Sequence, residues 1–424
     1  MSGAMAHPDD RTLADFVRSE EPDILAKTGP FAGYIHGLQS RGEYSYHRTL
    51  VSGAGCTVRV LDPGTGTERE LISLAANNYL GLAGRPELIE AACAATRKYG
   101  PGLCGSRFLS GTYDLVQQLE KELAEFEGYE EVAVFTTGYQ ANVGVLAGLL
   151  RKGDLAIIDR MSHASIVDGC RISGCKLRTF DHNDAADLDQ VLERHGANCR
   201  NVLVVVEGVF SMDGDICPLP QIMEVVERHG AYLMLDDAHA TGVLGSHGAG
   251  TVDHFGLTSK PDILVGTFSK SLSGTGGYVA ASHEVINYIR HYGRSYMFSA
   301  SPAPGTIAAV REALRLLRSE PELREQLWRN VDFVYRGLKA AGFTTYPDPP
   351  EAAILTVVIG HDAVVHAMSR DLYKGGLLTS TVVYPAVSPN EGKMRLSLSA
   401  AHTEAALQQA LQVIEAAGRR HGVI

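Results

Sequence analysis

The chain has no CxxC pair, and its seven cysteines (Cys56, Cys93, Cys104, Cys170, Cys175, Cys199, Cys217) are scattered and odd in number. That argues against a disulfide framework or a zinc centre and for reduced thiols in a cytoplasmic compartment. No metal site is expected. No uninterrupted apolar run is long enough to span a bilayer. The polar, acidic stretch Met1 to Asp10 lacks the charged-then-apolar layout of a secretory signal. Basic residues are the minority: 38 Lys and Arg against 49 Asp and Glu leave a formal charge of −11. With no basic stripe either, nucleic acid and anionic membranes are disfavoured as main partners. Repeats and low-complexity tracts are also missing. What remains is 424 residues, 45% of them apolar, enough for a large core and two lobes.

Three segments emerge. Residues 1–70 read as an N-terminal arm, with a short helical stretch around Leu13 to Leu25 and a hairpin near Cys56 to Leu71. Residues 71–304 alternate strands with helices. The expected strands are Val132 to Phe135, Leu155 to Ile158, Val202 to Val206, Tyr232 to Leu235, Ile263 to Val265 and Tyr278 to Ala281. Between them fall helical patterns such as Tyr113 to Phe126, with Leu115, Leu119, Leu123 and Phe126 on one face. This is an α/β pattern and implies a largely parallel, doubly covered sheet. Residues 305–424 read as a smaller α+β lobe. An amphipathic helix starts near Glu322, with Leu323, Leu327, Val331, Tyr335 and Leu338 on one stripe. Ser319-x-x-Glu322 offers a capping box, and Gly342 a stop. Short strands and a final helix, Thr403 to Ala417, complete it.

Asp236-Asp237-Ala238-His239 ends one apolar run, and Thr267-Phe268-Ser269-Lys270 ends another. In an open α/β sheet, ligands sit beyond the carboxyl ends of the strands. A carboxylate, an imidazole and an amine therefore gather at one rim. Pyridoxal phosphate (PLP) needs that set: a lysine for a Schiff base, and an acid that keeps the pyridine nitrogen protonated. Gly274, Gly276 and Gly277 follow the lysine, without the full dinucleotide fingerprint that a nicotinamide-binding loop would show. Thr136-Thr137-Gly138-Tyr139-Gln140-Ala141-Asn142 turns from strand into helix, where backbone amides beside a glycine make an anion cradle. Together with Ser269 it forms a phosphate site, at which Tyr139 could stack or bond. In Ser162-His163-Ala164-Ser165, His163 either lies on the cofactor ring or caps a helix. Glu207 to Asp215 places Ser211 and several acids at the same rim, with Asp213-Gly214 as turn formers.

These motifs, joined by Asn77-Asn78-Tyr79-Leu80-Gly81-Leu82, Gly105-Ser106-Arg107 and Arg395-Leu-Ser-Leu-Ser-Ala-Ala-His402, resemble those of the α-oxoamine synthases from about residue 70 to 405. That branch of the fold-type-I PLP enzymes includes 8-amino-7-oxononanoate synthase, serine palmitoyltransferase, glycine C-acetyltransferase and 5-aminolevulinate synthase. The resemblance implies a large PLP-binding domain with a smaller C-terminal domain. It implies an acyltransferase that condenses an amino acid with an acyl thioester, releasing CO₂ and free thiol. The thiol carrier is coenzyme A or a carrier protein. By the same resemblance Lys270 carries PLP, Asp236 pairs with its ring nitrogen, His239 bonds its phenolic oxygen and His163 stacks on its face. Gly138, Tyr139 and Ser269 hold the phosphate, while Ser211 and Thr267 support ring and lysine. Arg395 binds the substrate carboxylate with help from Asn77. Ser299 and Ala300 reach the phosphate of a neighbouring subunit, implying a homodimer. Ser106 stands where aminolevulinate synthases carry threonine. Tyr384 departs from the arginine of some sphingolipid-forming relatives, and Tyr384-Pro385-Ala386-Val387 resembles the glycine acetyltransferase pattern. Glycine C-acetyltransferase-like activity, or another reaction on the same scaffold such as that of a transaminase or aldolase, is the alternative.

Overall fold

The computed structural model describes residues 13–17, 21–62, 64–384, 386–388 and 390–424. The chain forms two compact units: residues 77–211 with 215–326, and residues 1–76 with 212–214 and 327–424.

The larger unit is built on a seven-stranded sheet. Its strands run in the order Glu131–Phe135, Gly277–Ala281, Ile263–Thr267, Tyr232–Asp236, Val202–Glu207, Leu155–Asp159, Lys176–Phe180. Gly277–Ala281 is antiparallel to both neighbours, and the other pairings are parallel. The central strands are buried on both faces along their length, as unbroken Val/Ile/Leu/Ala runs require in a doubly covered sheet. Ala133, Phe135, Ala156, Ile158, Val205, Met234, Val265 and Val279 pack there against Ala141, Val145 and Leu146 of helix Gly138–Leu149. Register decides what the sheet presents. Glu207 lies opposite Asp236, and Gly277 lies opposite both Phe135 and Thr267. The carboxyl ends of the parallel strands, with the amino end of Gly277–Ala281, therefore form one edge, and the chemistry-bearing turns meet there. The strand Lys176–Phe180 was not among the expected ones. It is the sheet's edge, mostly exposed, and its sequence lacks a long apolar run.

The partition differs from the one expected at residues 70 and 304. Helix Pro304–Ser319 falls with the larger unit. It lies against helix Pro86–Tyr99 so closely that a Cβ on Gly305 would meet Thr96 Oγ1 at 2.6 Å and the Ala92 carbonyl at 3.1 Å. Ser319 ends this helix instead of capping the next one, which runs Glu322–Ala341. In the smaller unit, the N-terminal residues are not a separate arm. Strands Thr57–Leu61 and Glu68–Ser73 form the expected hairpin, but Glu68–Ser73 also pairs in parallel with Leu377–Leu378. Ser397 N donates to the Leu74 carbonyl at 2.8 Å, and His402 Nε2 bonds the Ser73 carbonyl at 2.9 Å. In place of one helix from Leu13 to Leu25, the described residues show helices Leu13–Val17 and Thr28–Ser40.

Candidate active site

Helix Gly138–Leu149 begins directly after strand Glu131–Phe135, and Thr137 caps it by accepting from Gln140 N at 3.1 Å. A Cβ on Gly138 would lie 3.0 Å from Thr267 Oγ1, and one on Gly277 would lie 2.6 Å from the Gly138 Cα. Three backbones thus converge at the start of a twelve-residue helix, where unsatisfied amides and the helix dipole favour an anion. The Thr267 and Ser269 hydroxyls are 2.9 Å apart at the same place. Gly277→Ala would force a methyl against backbone that cannot yield. We expect it to cost about 1–3 kcal/mol of stability, read as a lowered denaturant midpoint; an unchanged midpoint would refute the close approach.

Asp236 ends strand Tyr232–Asp236 and is 6% exposed. Its carboxylate accepts from Asn142 Nδ2 at 2.7 Å and from Ala238 N at 3.1 Å, both neutral donors. A buried carboxylate held this way is best compensated by a cation, and a protonated pyridine nitrogen is one. Asn142 stands one helical turn after Gly138, so one helix supplies both the anion cradle and the clamp on the acid. The Asn142 amide also donates to Ser165 Oγ at 2.9 Å, and Ser165 Oγ lies 2.7 Å from His163 Nδ1. His163 caps helix Ala164–Ser173, with Nδ1 accepting from Ser165 N. Its own backbone N–H donates to Glu207. Burial pushes the Glu207 carboxyl well above its ordinary range, and the negative charge of Asp236 pushes it further. Burial likewise raises Asp237, to about 7, while it accepts from Thr251 N and Oγ1.

Lys270 is half-buried in the loop between strands Ile263–Thr267 and Gly277–Ala281. That loop is closed by Phe268 N to the Gly276 carbonyl at 3.0 Å and Gly274 N to the Phe268 carbonyl at 2.8 Å. His239 Nδ1 bonds the Tyr79 hydroxyl at 2.7 Å, and that hydroxyl reaches Asn77 Oδ1 at 3.4 Å. The larger unit therefore contains Lys270, Asp236, His239, His163, Gly138, Thr267, Ser269, Ser211, Asn77 and Ser106. Ser106 pairs in an isolated bridge with Ala300, and its hydroxyl is buried without a hydrogen bond. Ser299 and Ala300 lie against this chain's own turn: Gln140 Nε2 donates to Ser299 Oγ at 3.0 Å, and Thr136 Oγ1 to the Ala300 carbonyl at 2.7 Å. Tyr139 stands apart. Its ring is half exposed and its hydroxyl is bonded to Asp168, so at the cradle it offers only its backbone amide. Arg395 belongs to the smaller unit, buried on strand Gly392–Ser397 and donating to Ser397 Oγ at 3.0 Å.

The family described as aminotransferase class I and II matches residues 69–414. The chain belongs to this family. It is 42% identical over 351 residues to 8-amino-7-oxononanoate synthase 1 of Bacillus subtilis, covering 83% of this chain and 89% of that one. It is 40% identical over 378 residues to serine palmitoyltransferase of Sphingobacterium spiritivorum, covering 89% and 92%. A solved structure described as SPT with PLP internal aldimine superposes with a TM-score of 0.90 at 35% identity, covering 95% of this chain and all of that one. The fold is accordingly the fold-type-I PLP transferase fold, as the motifs led us to expect. The anion cradle and the neutral-donor clamp on Asp236 suit PLP's two charged ends. Asn142, Ser165 and Glu207 are the residues that motif reading left without a role. Glu207 could have been singled out as an acid ending an apolar run.

Proposed function

We propose that the enzyme, a PLP-dependent acyltransferase that condenses an amino acid with an acyl thioester, works from the rim built around Lys270 and Asp236. The buried, Asn142-clamped Asp236 carboxylate carries this reading, because two neutral donors hold it in place and a protonated ring nitrogen would be a fitting cationic partner. Bound PLP supplies an electron sink for charge developing at the amino-acid α-carbon. Lys270 would anchor the cofactor, and its amine at the rim would take a proton from the amino-acid α-carbon and later return one. Gly138, Tyr139 and Ser269 would hold the phosphate, with the Thr267 hydroxyl beside Ser269. His163, oriented through Ser165, would stack on the cofactor ring, and His239, oriented by Tyr79, would bond it. Ser211 and Thr267 would support the ring and the lysine. Arg395 clamps the substrate carboxylate, for which a guanidinium fork suits better than an ammonium, with Asn77 assisting. The acyl carbon–sulfur bond breaks as the new carbon–carbon bond forms, thiol departs, and the carboxylate leaves as CO₂ to give an α-amino ketone.

Serine palmitoyltransferase-like and oxononanoate synthase-like chemistry fit this rim. A homodimer is part of the proposal. Phe108, Leu109 and Phe298 flank the Ser106–Ala300 bridge and are 40%, 79% and 71% exposed, an apolar face suited to a second copy; light scattering that reads one chain's mass would remove it. Among the described residues, no helix is long and apolar enough to cross a membrane. Titrating the PLP-loaded enzyme with the standard amino acids, then with thioesters of increasing chain length, tests the reaction. We expect spectral change with one small amino acid and release of CO₂ and thiol in equal amounts. Arg395→Ala should raise the amino-acid KM by about 10- to 100-fold, the loss of a charge-assisted pair. Amino-group transfer without thiol release would overturn the proposal.

A further inference from the structure

His182 lies in no motif discussed so far, yet both of its ring nitrogens face carboxylates. Nδ1 is 2.9 Å from Asp159 Oδ1, and Nε2 is 2.6 Å from Asp215 Oδ2. Neither acceptor can donate when ionised, so both nitrogens carry protons and the ring is an imidazolium. Its edge packs on the Phe210 ring, with centroids 4.5 Å apart at 88°. The two acids sit at informative places. Asp159 ends its strand and organises the turn into His163: Oδ1 accepts from Met161 N at 2.7 Å, and its carbonyl accepts from Ser162 N at 3.0 Å. Asp215 closes the loop that carries Ser211. Its carbonyl accepts from Phe210 N at 3.0 Å, and Val209 bridges to Ile216. Asn183 reinforces both sides, donating its backbone N–H to Asp159 Oδ2 at 2.9 Å and its side-chain amide to Asp215 Oδ2 at 2.8 Å.

We infer that His182 is a positioning residue, a cationic clamp that holds the His163 turn and the Ser211 loop at fixed spacing so that both meet the PLP ring in register. The inference rests on the ring-contact roles proposed above for His163 and Ser211. An isolated buried imidazolium would be costly, and two carboxylates with one cation leave the cluster net negative, so each bond is charge-assisted. Besides Asp159 and Asp215, titratable groups near these acids are the Glu207 carboxyl, which burial and then the Asp236 and Asp159 charges push up, and the Cys217 thiol, which burial and then the Asp237, Asp159 and Asp215 charges push well above its usual value. Opposing the penalty of burial, the bonds to Asp159 and Asp215 raise His182 to about 10. The folded value lies above the ordinary one of 6.5. The clamp is therefore fully present below that pH, and its contribution is lost as pH rises through about 10.

The test compares PLP-loaded wild type with His182→Gln and His182→Phe. The readouts are visible absorbance, visible circular dichroism, kcat and KM across alkaline pH, and thermal unfolding. Gln cannot bridge both acids, and Phe keeps the packing on Phe210 without donating. Both variants should keep the absorbance band but lose at least about half of the dichroism and about tenfold in kcat near neutral pH, the scale of a small misplacement of catalytic groups. Wild-type dichroism should fall toward the variant level as pH passes about 10, while the variants stay flat. Variants with wild-type dichroism and kcat but a lowered melting temperature would overturn the inference, as would an alkaline profile shared by wild type and His182→Gln. If neither variant folds, the wild-type titration decides alone, and dichroism that does not change there sinks the idea. A wild type that takes up no PLP would instead sink the proposed function.

Discussion

Lys270→Ala is expected to remove the visible absorbance band of the PLP-loaded enzyme as isolated and to cut turnover by about 10³-fold or more. The amine acts twice in the proposed cycle, as cofactor anchor and as the group that moves the α-proton. Its loop is fixed by backbone bonds at Phe268, Gly274 and Gly276 that do not involve the side chain. Lys270 is only half-buried, so truncation should leave thermal stability within about 1 kcal/mol of wild type. Activity and stability thus separate cleanly. A variant with wild-type colour and turnover would take Lys270 out of the site, and one that fails to fold would show that the loop depends on the side chain after all.

Asp236→Asn should be nearly as damaging for a different reason. Asn is isosteric and still offers one oxygen to the Asn142 amide, whose bond is 2.7 Å, while its NH2 faces the Ala238 N–H, so one contact is lost together with the charge. A unit charge about 4 Å from a cation is worth roughly 4 kcal/mol at an effective dielectric of 20, and that converts to about 10³ in rate if it is felt in the transition state. The same substitution removes a desolvated charge from the rim, where Glu207 and Asp237 are already pushed upward. That relief offsets the lost Ala238 contact, so the melting temperature should change little while kcat falls. Equal losses in both would mean that the carboxylate serves folding and not the ring nitrogen.

Much of this rim was readable in advance because a parallel strand buried on both faces announces itself as an apolar run, and the residue after it lands at the carboxyl edge. Asp236, Thr267, Lys270, Gly138 and His163 all follow such runs. What escaped the sequence was lateral. The Asn142 amide couples Asp236 to Ser165, Glu207 receives the His163 backbone, and His182 joins an acid at a strand end to one in a separate loop; each link spans 20 to 100 residues or so and leaves no local pattern. Helix Pro304–Ser319 was missed because the expected division of the chain fell at residue 304, although Pro304 is the helix's own first residue, a favoured position. Tyr139, expected to stack or bond at the phosphate site, has a half-exposed ring whose hydroxyl bonds Asp168. The edge strand Lys176–Phe180 shows the converse: exposure erased the signal that burial creates elsewhere.

The parallel pairing of Glu68–Ser73 with Leu377–Leu378 has a consequence for biosynthesis. The earlier strand leaves the ribosome roughly 300 residues before its partner, which at ordinary translation speeds is a wait of about 15–60 s. Throughout that interval one side of a β-strand with an apolar end, Leu71 and Ile72, has no mate. Newly made chains thus have a built-in window for mispairing or chaperone capture, and it closes only when Leu377 and Leu378 emerge.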